Sequence, residues 1–150
     1  HLVATVSSAY LINLLAERGN EKHMRELKKL GVPILDLVFC NLYPFEEKVE
    51  EAIKRGATPE ELMLTARKHT DIGGPCMIRG AAKNHEYLII VTNNKQIKII
   101  ETELQKFGNI SYETRASFAD DAFAYTANYD KVISEFFAEM KKKYGFKIPA

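Results

Sequence analysis

The sequence predicts an α/β fold, a parallel sheet flanked by helices and extended by a helical C-terminal stretch. Three observations point there. Ile34-Leu-Asp-Leu-Val-Phe-Cys40 and Tyr87-Leu-Ile-Ile-Val-Thr92 are short, almost wholly apolar runs, as parallel strands covered on both faces require. The chain between and around them carries helix starts, helix stops and helical periodicity. From about Ser111 to Tyr144 the pattern is helical again, with a break expected near Asn128. Strands alternating with helices build a sheet with parallel neighbours, so both strands are expected to be buried and parallel.

The elements follow from local chemistry. Asn20 supplies an N-cap for a helix from about Glu21 to Leu30, with Met24, Leu27 and Leu30 on one face and Gly31 as its stop. Pro33 precedes the first strand, and Pro44 in Asn41-Leu-Tyr-Pro-Phe45 ends its ladder and opens a loop. A charged helix is expected over Glu46–Arg55, closed by Gly56. Thr58-Pro-Glu-Glu61 then offers an N-cap, a proline in the first turn and a capping box, so a helix runs to about Lys68. His69 to Pro75 reads as a loop feeding a helix from Cys76 to about Lys83. After the second strand, Asn93 or Asn94 caps a helix with Ile97, Ile100, Leu104 and Phe107 on one face, ended by Gly108.

Composition narrows the function. The 150 residues hold 21 Lys+Arg against 20 Asp+Glu, a net charge of +1, with 46% hydrophobic residues. One domain with its own core fits that length. The balanced charge argues against nucleic acid as a partner. The uncharged stretch His1–Ala16 carries Thr5, Ser7, Ser8 and Asn13 and falls short of the roughly 20 apolar residues of a membrane span. Cys40 and Cys76, the only cysteines, read as reduced thiols of a cytoplasmic protein. Paired Cys/His spacings of a metal site are absent from the sequence.

Sites in α/β sheets form beyond the carboxyl ends of strands, which directs attention to Asn41–Phe45. The second candidate is Asp71-Ile-Gly-Gly-Pro-Cys-Met-Ile-Arg-Gly-Ala-Ala-Lys-Asn-His85. Gly73 and Gly74 permit a tight turn, and the helix amides just beyond face an anionic or carbonyl ligand. Asp71 stands beside them as a proton acceptor or donor, and the Lys83 ammonium suits a developing oxyanion. A structural role fits the same residues: Asp71 as a helix cap, the glycines as a turn, Lys83 offsetting the helix dipole. His23, His69 and His85 read as capping or solvated, Lys141–Lys143 as a solvated helix end, and the aromatic residues from Phe118 to Phe137 as helix packing.

These motifs in this order resemble a known family. Asn41-Leu-Tyr-Pro-Phe45 after an apolar strand, then Asp71-Ile-Gly-Gly74 and Arg79-x-Ala-Ala-Lys-Asn-His85, are similar to the IMP cyclohydrolase domain of the bifunctional enzyme that joins it to an AICAR transformylase. Glu113-Thr-Arg115 and Ala122-Phe-Ala-Tyr-Thr-Ala-Asn-Tyr-Asp130 match the family's helical stretch. The resemblance covers about Leu14 to Phe137 and leaves residues 1–13 unassigned. It implies a methylglyoxal-synthase-like fold and closure of formyl-AICAR ribotide to IMP, without metal or organic cofactor. By the same resemblance Asp71 takes the acid/base role, and Lys83 and Tyr43 polarise the formyl oxygen. Asn41 and the backbone of Ile72, Gly73 and Gly74 hold the base. The side chains of Tyr43, Asp71 and Lys83 are then expected in one cleft. The family's N-terminal phosphate-binding units, and a Lys-Thr-Leu-His-Pro segment with a further lysine, have no counterpart in the sequence. The expectation is therefore poor turnover by this chain alone, and a homodimer or a companion chain supplying those parts. Two other classes stay open: a purine or imidazole ribotide-binding regulatory module, and an interaction protein.

Overall fold

A computed structural model of the chain describes residues 6–145. The described residues form nine elements: α1 (Ser8–Leu15), α2 (Glu21–Leu30), β1 (Leu37–Phe39), α3 (Phe45–Lys54), α4 (Pro59–His69), α5 (Gly73–Lys83), β2 (Ile89–Val91), α6 (Asn94–Phe107) and α7 (Tyr112–Tyr144). They fall into two compact units. One takes the described residues of His1–Asn41 and Ile72–Thr126, the other those of Leu42–Asp71 and Ala127–Ala150.

In the first unit β1 and β2 pair in parallel, with Leu37 opposite Ile89, Val38 opposite Ile90 and Phe39 opposite Val91. The ladder continues past each end, through Ile89 N–H to Asp36 C=O (2.9 Å) and Cys40 N–H to Val91 C=O (3.0 Å). Helix α5 packs on both strands, α6 packs on β2, and α1 packs on α2 and α5. Ile90 and Val91 are buried as expected. β1 is a correction: it is shorter than Ile34–Cys40, and only Val38 is buried, Leu37 and Phe39 being 42% and 53% exposed. Its N-terminal half is not strand because side chains take its backbone groups. The buried Asn13 amide donates to the Pro33 carbonyl and accepts from Leu35 N–H (3.1 Å), and Arg18 donates to the Leu35 carbonyl (2.6 Å) while pairing with Asp36 (2.8 Å). The buried Asn84 amide closes the end of α1 by donating to the Leu14 (2.9 Å) and Ala16 (3.0 Å) carbonyls. Of residues 1–13, which the resemblance leaves unassigned, 1–5 lie outside the described part, and from Ser8 the chain is helix α1.

The caps are where sequence chemistry puts them. Asn20 accepts from Lys22 and His23 N–H, Asn93 accepts from Lys95 and Gln96 N–H, and the Thr58–Glu61 capping box closes in both directions. Gly31 and Gly108 end α2 and α6 at φ 65° and 68°, the left-handed conformation that favours glycine. The predicted apolar face of α6 is only partly covered: Ile100 is buried, whereas Ile97, Leu104 and Phe107 are exposed. Gln96 is buried in their stead, because its carbonyl accepts from Thr92 N–H (2.8 Å) and its amide donates to Asp121 (3.0 Å). Helix α7 runs unbroken through Asn128, contrary to the expected interruption; asparagine is a modest helix former, not a breaker. In the second unit α3 packs against α4, and Phe45 sets its ring edge-on to Tyr129 and Phe136, with centroids 6.4 and 5.7 Å away.

Asn13→Ala removes a buried amide that serves two backbone groups, and each orphaned group costs about 1–3 kcal/mol. The urea midpoint of Asn13→Ala is expected to fall with an unchanged slope; a midpoint equal to the parent's would show that the clamp contributes nothing. A second expectation concerns acid. The Glu103 carboxylate accepts from the Thr114 hydroxyl (2.5 Å) and from Ser111 N–H (2.7 Å), and these bonds, the Thr114 one foremost, hold it below the ordinary glutamate value of 4.5. A depressed folded-state value gives stability that is present above the unfolded value and lost as pH falls through the folded one. Urea unfolding repeated from neutral pH to pH well below 4.5 should therefore show an acid loss that Glu103→Gln lacks.

Candidate active site

The second unit carries Tyr43 and Asp71. Tyr43 stands in the loop into α3, where Pro44 has φ −76° and ψ 67° and Phe45 N–H donates to the Tyr43 carbonyl (2.8 Å). That is an inverse γ-turn, with φ preset by the proline ring. Phe45 anchors it by burying its ring, and the Tyr43 side chain stays 54% exposed. Asp71 follows the end of α4, where Thr70 is the C-cap and its hydroxyl donates to the Ala66 carbonyl (2.9 Å). The Asp71 carboxylate accepts from Tyr43 N–H at 3.4 Å. The two segments are thus brought together, and through the tyrosine backbone rather than its ring.

A residue that sequence reasoning did not single out holds the Asp71 segment. The Tyr129 hydroxyl accepts from Asp71 N–H (2.9 Å) and donates to the His69 carbonyl (2.9 Å). Its ring is buried, 9% exposed, against Phe45. Tyr129 lies within the quoted stretch Ala122–Asp130, but nothing local marks a helix tyrosine as the partner of backbone groups about sixty residues earlier.

The first unit carries the remaining candidates. Asn41 is exposed just beyond β1, whose neighbour Cys40 sets its sulfur 4.0 Å from the Gly74 carbonyl oxygen. The Gly73–Gly74 turn is a correction. Both glycines belong to α5, which starts three residues earlier than expected, and neither is among the glycines with positive φ. Pro75 fits that first turn because no intrahelical donor is needed there, and the backbone donors ahead of it are those of Gly73 and Gly74. Ile72, the N-cap position, is 78% exposed.

Lys83 is exposed on the last turn of the same helix. Ten residues at 1.5 Å rise place it about 15 Å along the axis from Gly73, so α5 holds the lysine and the paired glycines at opposite ends. One turn before it, Arg79 sets its guanidinium 5.5 Å from the centre of the Phe123 ring. One residue after it, Asn84 holds α1, and the His85 ring lies 3.3 Å from the Tyr112 hydroxyl through Nε2. Among the described residues no group of His, Cys, Asp and Glu is placed to hold a metal ion, neither cysteine is in a disulfide, and no helix is long and apolar enough to cross a membrane. A cavity of about 240 Å³ in the second unit, lined by Ile53, Leu62, Phe136 and Met140 among others, contains none of the candidates.

Comparison with known proteins bears on this arrangement. Residues 81–149 match the family model of the AICARFT/IMPCHase bienzyme. The chain is 38% identical over 126 residues to the bifunctional purine biosynthesis protein PurH of Bacillus cytotoxicus, covering 84% of this chain and 23% of that protein. It is 43% identical over 120 residues to PurH of a Thermoanaerobacter species, covering 80% and 22%. The chain is a relative of the AICARFT/IMPCHase bienzymes. It spans roughly a quarter of the length of the curated relatives it matches. The crystal structure of ForH superposes with a TM-score of 0.71 at 29% identity, over 91% of this chain and 66% of that one. The α/β fold is accordingly the methylglyoxal-synthase-like one that the motifs implied. The family-model match includes Lys83 and begins after Asp71.

Exposure makes the candidates cheap to test. Tyr43→Phe and Lys83→Ala remove exposed groups, so each should leave the urea midpoint within about 0.5 kcal/mol of the parent. A loss of more than 1.5 kcal/mol in either would show a structural role that the geometry does not account for.

Proposed function

We propose that this chain is an IMP cyclohydrolase-type domain acting in purine biosynthesis, closing formyl-AICAR ribotide to IMP. The observation that carries the reading is the Asp71 carboxylate, half-buried and held on the N–H of Tyr43, in a chain related to the AICARFT/IMPCHase bienzymes. In the reaction the carboxamide nitrogen attacks the formyl carbon, forming a C–N bond and a carbinolamine. Loss of its hydroxyl as water, with one of the two protons on the flanking nitrogens, leaves the ring C=N bond. Asp71 is assigned the proton acceptor and donor, the role a positioned carboxylate plays in general acid/base catalysis. The Tyr43 hydroxyl and the Lys83 ammonium are assigned to the formyl oxygen as negative charge develops there. Asn41 and the backbone at Ile72, Gly73 and Gly74 are assigned to the base.

One observation favours a second reading, ribotide binding without turnover. The length of α5 between Gly73 and Lys83 separates the assigned base-holding backbone from the assigned polarising cation, whereas binding needs no such cation at the reacting carbon.

An ultraviolet assay of IMP formation from formyl-AICAR ribotide decides between them. The proposal expects Asp71→Asn to lose about 10²–10⁴ in rate, in the range of a general acid/base, and Lys83→Ala about 10²–10³, in the range of an oxyanion donor. Turnover that both variants retain would remove the site assignment. Binding of the ribotide with no IMP formed, even with the chain in excess, would leave the second reading standing.

A further inference from the structure

We propose that Tyr129 is a positioning residue for the Asp71 carboxylate, a role that rests on the cyclohydrolase reading above. Its hydroxyl sits between two backbone groups that flank Thr70, accepting from Asp71 N–H and donating to the His69 carbonyl, both at 2.9 Å. A single oxygen in that place uses its one proton and one of its lone pairs on the backbone. It therefore fixes the exit of the chain from α4 at the residue that bears the carboxylate. Thr70 is extended, with φ −73° and ψ 110°, so the helix ends ahead of Asp71.

The ring of Tyr129 reaches the other half of the arrangement. It meets Phe45 edge-on at 6.4 Å between centroids, and the N–H of Phe45 closes the γ-turn on the Tyr43 carbonyl. One side chain thus ties the 43–45 segment through its ring and the 69–71 segment through its hydroxyl. The Tyr43 N–H to Asp71 carboxylate bond, 3.4 Å long, is weak by its length and spans those two segments. It depends on their being held independently, and Tyr129 holds both. A carboxylate that exchanges protons with a substrate gains from such placement, since small displacements of an acid or base lower the rate steeply.

Tyr129→Phe separates the two functions of the side chain, keeping the ring on Phe45 and removing the hydroxyl. Two measurements on the full chain read the result. Amide hydrogen exchange at Asp71 should speed up roughly five- to tenfold, as expected for one lost hydrogen bond. Single-turnover IMP formation, with the chain in excess, should slow by a similar factor at saturating ribotide with little change in the ribotide concentration giving half the maximal rate. Phe136→Leu is the control: it loosens the same aromatic cluster and leaves the hydroxyl in place, and its saturating rate should match the parent's. Unchanged exchange at Asp71 in Tyr129→Phe would overturn the proposal, and so would equal slowing by Tyr129→Phe and Phe136→Leu, which would make Tyr129 a packing residue. Failure of the underlying reading looks different: there Asp71→Asn turns over like the parent, or the parent forms no IMP, and the positioning role falls with it.

Discussion

Two parallel strands of three residues each make a ladder too short to hold its own register, and the first unit depends on what supplies the rest. The supply is side-chain amides. Asn13 takes the backbone on either side of Ile34, Asn84 takes the last carbonyls of α1, and both are buried. Each amide can donate and accept in fixed directions, so together they set the distance and rotation of α1 against α5 and of the approach to β1. Aliphatic residues in those places would bury as well but would leave the same backbone groups without partners, at a cost comparable to a large part of a small domain's net stability. Gly80 completes the fit: a Cβ there would come within 3.2 Å of a Leu14 methyl.

The second unit solves a similar problem with an aromatic side chain. Here the joined pieces are a loop, a helix end and the later part of α7, and their shared centre is Phe45 with Tyr129 and Phe136 around it. Edge-on aromatic packing fixes orientation as well as burying area, and a tyrosine in such a cluster carries a polar tip that must find partners. The partners it finds are main-chain groups beside Asp71. The acid is thus controlled from the core of the unit, while its carboxylate and the nearby Tyr43 ring remain accessible.

What could be read from the sequence was local. Asn20, Thr58 with Glu61, Asn93, Gly31 and Gly108 act within four residues of themselves, and their chemistry is visible without the fold. The motifs at Asn41–Phe45, Asp71–Gly74 and Arg79–His85 likewise gave the relationship to the bienzymes. The failures were non-local. An apolar run over Ile34–Cys40 does not reveal that Asn13 and Arg18, about twenty residues earlier, occupy the backbone of Leu35. Periodicity finds the face of α6 that bears Leu104 and Phe107 but not whether anything covers it. Paired glycines suggested a turn because glycine tolerates one, yet Gly73 and Gly74 take ordinary helical geometry and Pro75 completes the turn with them. Nor does the sequence show that Asp71 accepts from the Tyr43 main-chain N–H, a donor that any residue but proline supplies.

The order of the two units along the chain has a consequence for how the protein is made. Neither unit is continuous: Leu42–Asp71 is inserted into the first, and the second is completed only by residues after Ala127. A chain emerging from the ribosome therefore exposes α3 and α4, with the buried face of Phe45, Val49 and Leu62, throughout the synthesis of Ile72–Thr126. Contacts between such distant segments form late and slowly, since loop closure costs entropy before any contact offsets it. The nascent protein must keep an apolar two-helix fragment in water until the far half of α7 arrives, and partly folded chains of this kind are the ones that aggregate or recruit chaperones.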